Sequence, residues 1–322
     1  MNALIKRVAA AAVLILGLAC LPIMAQDYPT RPIRIVVPFG PGSAPDMLAR
    51  MVAQDFTASI GTSIVENRGG ASGVVGVTHV AKSPADGYTL LLGMTGTQTI
   101  NPSLLSIVSY DPLKDFTPVA LLAYAPFVVV VSNNTPAKTF QELIDYAKSN
   151  PGKLTFATAG TGSMNDICIR LIMNKAEINL TQVAYKGVAE GTLDVIGGRV
   201  SIVCNSVAAL FPQIKAGAVR AMVTADVKRS ALLPNVPTLA EVGFAGSEVT
   251  SWYGVYGPAG LPTGITQKLN AQINQMLTSE NARLAVLGLD ATPGSPEQLG
   301  ETTRRDLKKW ADVILKNNIP RQ

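Results

Sequence analysis

The sequence predicts an α/β protein of two lobes, each a central β-sheet flanked by helices, with one lobe inserted into the other. Three observations carry this. Strand-like and helix-like runs alternate almost throughout. The strand runs are continuous Ile/Val/Leu stretches, as expected where a sheet is covered on both faces. Two apolar runs, "VALLAYAPFVVVVS" and "EVTSWYGVYGPAG", are too long for an ordinary strand of about five or six residues and read as crossovers from one sheet to the other.

Taken in order, "IRIVVP" leads to a helix near 45–58, and "TSIVEN" leads through "RGGASG" to a helix near 73–82. "YTLLLGMT" passes through "GTQTINP" into a short helix, and the first crossover follows. After Pro136 the rhythm restarts. "TFQELIDYAKSNPG" is a helix with a Pro-Gly stop, followed by the strand "KLTFATAG" and the loop and helix "TGSMNDICIRLIMNKA". "TQVAYKG" is a strand before a helix near 188–197, and "RVSIVCN" and "AVRAMVTAD" are strands around the helix "SVAALFPQIKAG". "KRSALLPNVPTLAEVGF" reads as loop and short helix. The second crossover is followed only by helices, at 263–279, about 281–288 and 295–317. Lobe 1 is thus expected over 26–124 plus 250–322, and lobe 2 over 125–249. Ligands in such folds sit outside the carboxyl ends of the strands, and between lobes when two sheets face each other.

The chain's beginning bears on compartment. Lys6 and Arg7 precede the apolar "VAAAAVLILGLACLPIMA", and "QDYPTRPI" then turns polar, the pattern of a secretory signal over residues 1–25 cut after Ala25. Ile23 is large for that cut, and "LGLAC" admits the rival of a lipid anchor at Cys20. No later segment offers the ~20 uninterrupted apolar residues of a membrane span. An exported, periplasmic protein is expected. Without the signal, roughly 300 residues remain, enough for two domains with their own cores.

The formal net charge of +5 falls to about +3 once Lys6 and Arg7 are removed, and Lys and Arg never run longer than two. That is no nucleic-acid footprint. Cys168 and Cys204 are the cysteines beyond the signal; both lie in apolar contexts, so a disulfide and two buried thiols both remain open.

Three Gly/Ser/Thr loops fall at carboxyl ends of strands: "FGPGSAP", "TGTQT" at 95–99 and "AGTGSMN" at 159–165. Glycine lets backbone approach a ligand closely, and the orphan N–H groups and positive dipole end of a helix start suit a carboxylate or phosphate. Pro45 fits the first turn of the helix the first loop opens. Ser43, Thr95, Thr97 and Ser163 add hydroxyls. Asp46 reads in two ways, as a first-turn acid bonding local N–H groups or as a direct ligand contact. Arg50 is expected to form an ion pair. Lys186 is the cation placed nearest the mouth, with Tyr185 beside it; Asn205 either donates to a ligand or caps the next helix. Trp252 fits a cleft wall or the core equally.

Neither glycine loop has the third glycine of G-x-G-x-x-G, and no G-x-x-x-x-G-K-[ST] occurs, so a nucleotide is not expected. His79, the single histidine, lies in a helical stretch with no G-x-S-x-G elbow in the chain. No cluster has metal-ligand spacing, and the loops hold few titratable groups, so no metal, no cofactor and no catalytic residues are expected.

"YPTRPIRIVVPFGPGSAPDMLAR", "VENRGGASGVVG", "DGYTLLLG", "INPSL", "YDPLKDFTPVALL", "AGTGS", "VAYKG", "GGRVSI", "PQIKAGAVRAM", "KRSALLPNVPTLAEVGF" and "WYGVYGPAGLP" run in order along the chain after the signal. Together they resemble the Bug-type extracytoplasmic solute receptors of tripartite tricarboxylate transporters. The resemblance implies a two-lobed periplasmic binding protein of the type with two crossover strands. It implies that a small organic carboxylate is clamped between lobes and delivered to the transporter's two membrane components, by a monomer. It places ligand contacts at Phe39, Gly42, Ser43, Asp46, Thr95, Thr97, Ala159, Gly162, Ser163, Lys186 and Asn205. The chain departs from the family where "GPGSAPD" replaces a Pro-Gly-Gly run, where Asp166 stands in place of a frequent histidine, and where Asn205 replaces an acid. Two other outputs share this fold: a secreted enzyme using the same cleft, and a ligand sensor for a signalling partner.

Overall fold

A computed structural model describes residues 28–160, 163–185, 187–316, 319 and 321. The expected signal segment, its cut after Ala25, Cys20, Gly162 and Lys186 lie outside the described residues. Residues 28–30, with a cis Tyr28–Pro29 bond, stand apart from the second unit, which spans 31–322.

In that second unit the strands are β1 (Ile33–Val37), β2 (Ser63–Asn67), β3 (Thr89–Met94), β4 (Phe116–Ser132), β5 (Thr155–Thr158), β6 (Thr181–Ala184), β7 (Ile202–Ser206), β8 (Val219–Thr224), β9 (Thr250–Pro258) and β10 (Asp290–Ala291). The helices are α1 (Ala44–Ser59), α2 (Val74–Ala81), α3 (Asn101–Leu104), α4 (Phe140–Ser149), α5 (Met164–Ala176), α6 (Val188–Ile196), α7 (Val207–Lys215), α8 (Thr263–Ser279), α9 (Asn281–Val286) and α10 (Pro296–Lys316). The ten strands make one sheet in the order β2-β1-β3-β9-β4-β7-β5-β6, with β10 and β8 also paired to β4. The alternation of strands and helices is therefore as the sequence predicts. Continuous apolar strands are buried for the expected reason: Ile33, Ile35, Val36 and Val37 of β1 and Val128–Val131 of β4 are sealed under helices on both faces.

The 17-residue β4 joins two sections. Its first part pairs antiparallel with β9 as far as Pro126↔Thr250. Its second part begins pairing with β7 at Phe127↔Ser206, and it also pairs with β8. The seam thus falls between Pro126, which has no N–H to donate, and Phe127. The return crossing is not a strand spanning both sections: β9 pairs only with β3 and β4 of the first. Immediately before it, the Val249 N–H donates to the Ala225 carbonyl at 2.8 Å.

Strand direction positions the loops. β3 runs parallel to β1 and antiparallel to β9, so both β1 and β3 run along β4 toward the second section. β7 is antiparallel to β4, and β5 and β6 are parallel to β7, so these three run back toward the first. The carboxyl ends of the two sets therefore face each other. Met94, ending β3, stands level with Ala123 of β4 through Tyr253 of β9, whereas Ser206, ending β7, stands level with Phe127. Four residue steps along β4 separate the levels, about 13 Å at the rise of an extended chain.

Two local readings are corrected. The segment 228–244 contains turns and no helix. Pro234 and Pro237 lack donors, and the surrounding backbone is committed to β8: Thr224 N–H donates to Pro237 O and Leu239 N–H to Thr224 O. The two-residue β10, which no sequence period marks, pairs with Tyr124 and Ala123 of β4. The two cysteines are joined: a Cys168–Cys204 disulfide ties α5 to β7.

Candidate functional site

The first loop leaves β1 at Pro38 and starts α1. Gly42 has φ +78°, a region glycine enters without penalty, and this turns its N–H onto the Asp46 carboxylate at 2.9 Å. The same carboxylate accepts from Arg50 Nε at 3.0 Å and from Asn67 Nδ2 at 2.9 Å. Asn67 ends β2 and also donates to the Phe39 carbonyl at 3.1 Å. Asp46 is 2 % exposed. Burial pushes its carboxyl up, but the bonds from Arg50, Gly42 and Asn67 outweigh that and hold it below its ordinary value of 3.8. Of the two readings of Asp46, the local anchor is the one the geometry displays. Ser43 stands at the N-cap position without capping; its hydroxyl donates to Gly40 O at 2.8 Å.

The stretch 68–73 closes on this loop. A Cβ on Gly73 would lie 2.8 Å from Thr97 and 3.3 Å from the Phe39 ring, so Phe39, Gly73 and Thr97 pack together, and glycine is what fits. Ala71 and Ser72 hold φ +48° and +55°, strained values for residues with a Cβ. The Ser72 carbonyl accepts from Asn101 Nδ2 at 2.9 Å. Sequence reasoning quoted "RGGASG" as a plain connector and missed its place beside the first loop. The signal present in the sequence was its five small residues, Gly69–Gly73, after the Asn67 strand end.

Thr95 and Thr97 face inward and are fully buried. Thr95 Oγ1 accepts from Trp252 N–H at 2.8 Å, and Thr97 Oγ1 bonds the Met94 backbone. Thr95 stands at the N-cap of a π-helical turn, Gly96–Ile100, and Thr97 lies within it, a kind of turn frequent at functional sites. Their hydroxyls hold the second loop to β9 and β3. Trp252 belongs to the core, with its indole N–H on Asp306 at 2.8 Å.

The second section repeats the first loop's device. Gly160 donates to Thr158 Oγ1 at 3.1 Å, and Ser163 caps α5 by accepting from Asp166 N–H at 3.3 Å while donating to Gly160 O at 2.7 Å. Asp166, fully buried, takes Arg170 Nε on both oxygens at 2.8 Å and Gln182 Nε2 at 3.3 Å. Gln182 also donates to Thr158 Oγ1 at 3.0 Å and accepts from Arg170 Nη2 at 3.1 Å. The sequences of the two loops explain the likeness: "GPGSAPDMLAR" and "GTGSMNDICIR" share G-x-G-S-x-x-D-x-x-x-R, 120 positions apart.

Ala159 is exposed, Ser163 and Asn205 half-buried. Asn205 Oδ1 accepts from Ser206 N–H at 2.8 Å, and Ser206, not Asn205, caps α7. Tyr185 is tied to Asp194 at 2.6 Å, and burial together with that carboxylate pushes its phenol up to about 12. The structure thus groups Phe39, Gly42, Ser43, Asp46, Thr95 and Thr97 on one side of the crossing. It sets Ala159, Ser163 and Asn205 on the facing side.

A cavity of about 750 Å³ opens elsewhere, lined by Tyr124, Asp226, Lys228, Asp290, Arg305 and Trp310 among others and by none of these loop residues. Most of its charges are consumed locally: Arg229 by Glu241, Asp226 by Val227 N–H, Asp306 by Trp252 and Arg305. Strand direction, not cavity size, identifies the facing loops as the candidate site. No group of three or more potential metal ligands occurs among the described residues.

The family model described as tripartite tricarboxylate transporter family receptor matches residues 48–319. Among solved structures, periplasmic binding protein BugD is 32% identical, covering 92% of this chain and all of that one, with a TM-score of 0.78. Rpa4515 of R. palustris with adipate is 33% identical over 91% of this chain and 99% of that one, TM-score 0.82. MatC of Rhodopseudomonas palustris with bound malate is 31% identical over 89% of this chain and all of that one, TM-score 0.77.

Proposed function

This chain belongs to the tripartite tricarboxylate transporter receptor family, and on that premise we propose that it captures a small organic carboxylate between its two loop sets. It is a solute-binding receptor of the Bug type rather than an enzyme. The observation that carries the reading is the strand direction: the loops after β1 and β3 face those after β5, β6 and β7 across about 13 Å of β4. The resemblance to receptors whose structures hold adipate and malate supports a di- or tricarboxylate of that size.

The gripping groups are backbone amides and small hydroxyls of Phe39, Ser43, Ala159, Gly162 and Ser163 with the Asn205 amide, and Lys186 supplies charge; Gly42, Thr95 and Thr97 shape the loops from within, the Gly42 N–H on Asp46, the Thr95 hydroxyl on Trp252 N–H and the Thr97 hydroxyl on the Met94 backbone. Asp46 serves the first loop from within, because its oxygens are committed to Gly42, Arg50 and Asn67. The lobes divide at 124/125 and 249/250, close to the seam in β4, and closing is a population shift between open and closed forms. The exported receptor is a periplasmic monomer, freed by cleavage after Ala25, that hands its ligand to the transporter's membrane components.

Calorimetry and thermal shift with a panel of mono-, di- and tricarboxylates, adipate and malate included, test this. A micromolar dissociation constant, roughly −8 kcal/mol, is the expected result for one member. A protein shown free of copurified ligand that responds to none of them overturns the reading.

A further inference from the structure

The two loops share more than their sequence motif. β2 and β6 are the strands at the two ends of the sheet path, each paired parallel to the strand that feeds a loop. On β2, Asn67 stands opposite Val37, two residues before Phe39. On β6, Gln182 stands opposite Phe156, two residues before Thr158. Each carries a primary amide, and each amide makes the same pair of bonds. One goes to the first-turn aspartate of the helix beyond the loop, Asn67 to Asp46 at 2.9 Å and Gln182 to Asp166 at 3.3 Å. The other goes to the residue where the strand turns into the loop, Asn67 to Phe39 O at 3.1 Å and Gln182 to Thr158 Oγ1 at 3.0 Å. Thr158 in turn accepts the Gly160 N–H.

We propose that Asn67 and Gln182 are the positioning residues of the receptor, setting where the backbone of each loop stands when an acid arrives. The inference rests on the functional reading above. A primary amide is suited to this because its NH₂ can serve two acceptors at once, an aspartate and the loop junction. The hub spans both ends of the loop, so it fixes the distance between strand end and helix start. Backbone amides grip an anion well only when they are held in place beforehand. A carboxylate at either hub would set a like charge against Asp46 or Asp166 and remove the donors.

The test uses the exported full chain and the variants Asn67→Ala, Asn67→Asp, Gln182→Ala, Gln182→Glu and the double alanine. As a control, Arg229→Ala cuts the exposed Arg229–Glu241 pair. Adipate binding is measured by calorimetry, Tm by melting, and amide hydrogen exchange on the ligand-free protein. Each alanine is expected to weaken adipate binding about tenfold, the double about a hundredfold, and the acidic variants more than the alanines. Gln182→Ala should speed exchange across 158–163 and leave 38–43 unchanged, and Asn67→Ala should do the reverse. Wild-type binding with variant affinities within twofold, or exchange unchanged in the adjoining loop, overturns the proposal. A wild type that binds neither adipate nor any acid of the panel fails the functional reading, and the exchange experiment still decides this one.

Discussion

The two facing glycine loops share one motif and differ in how firmly each is fixed. In the first, the aspartate takes a loop amide directly, Gly42 N–H to Asp46, and its arginine offers one nitrogen from a side chain 57% exposed. In the second, the serine caps the helix, the arginine grips both carboxylate oxygens, and a disulfide ties the helix to β7. The first loop is held by a buried aspartate paired with an exposed arginine and an asparagine amide, the second by a cap, an ion pair on both carboxylate oxygens and a covalent bond. One recurrent local design can therefore be stabilised by different means in the two halves of a clamp.

The largest expected effect is on the second loop alone. Cys168→Ser with Cys204→Ser opens a loop of 36 residues and should lower unfolding free energy in denaturant by about 4 kcal/mol on the chain-entropy account. A loss below about 1 kcal/mol would mean that the two loops are fixed alike. Next come the aspartates. Asp166→Ala strands a largely buried Arg170 and should cost about 3 kcal/mol, whereas Asp46→Ala leaves Arg50 in water and should cost about 2 kcal/mol. Equal losses would erase the distinction.

The serines separate more finely. Ser163→Ala removes a cap and should cost about 1 kcal/mol; Ser43→Ala removes no cap and should cost less than half of that. Reversal of that order in urea titrations would sink the comparison. The smallest effect is the pH dependence of Asp46. Its folded carboxyl lies below 3.8, so its contribution is present above that value and is lost as pH falls through the folded value. Asp46→Asn should therefore flatten the acid limb of the stability curve below about pH 4, measured by melting at stepped pH.

Much of the fold was legible because apolar runs and Gly/Pro stops have local causes. Continuous Ile/Val/Leu runs marked β1, β3 and β4, and the length of β4 announced the crossing. β10 and the turns of 228–244 were not legible, since both are set by pairing with distant strands. In the site, glycine loops and helix starts were readable, but the partners of each hydroxyl were not. The Thr95 hydroxyl was readable as a loop hydroxyl, but its bond to the N–H of Trp252, 157 residues away, was not. Asn67 and Gln182 escaped notice because an amide on an edge strand is ordinary until its neighbours are known. The motif shared by 40–50 and 160–170 was legible in the sequence, but the bonds that make the two loops alike were not.

The seam in β4 gives the clamp its mechanical character. At Pro126 the ladder lacks a rung by its chemistry, and the pairing partner changes at the next residue. Swinging one half against the other there ruptures no donated bond of that residue. On the proposed closure this joint bends without losing a rung of its own, and the free energy of holding a guest goes into bringing the halves together.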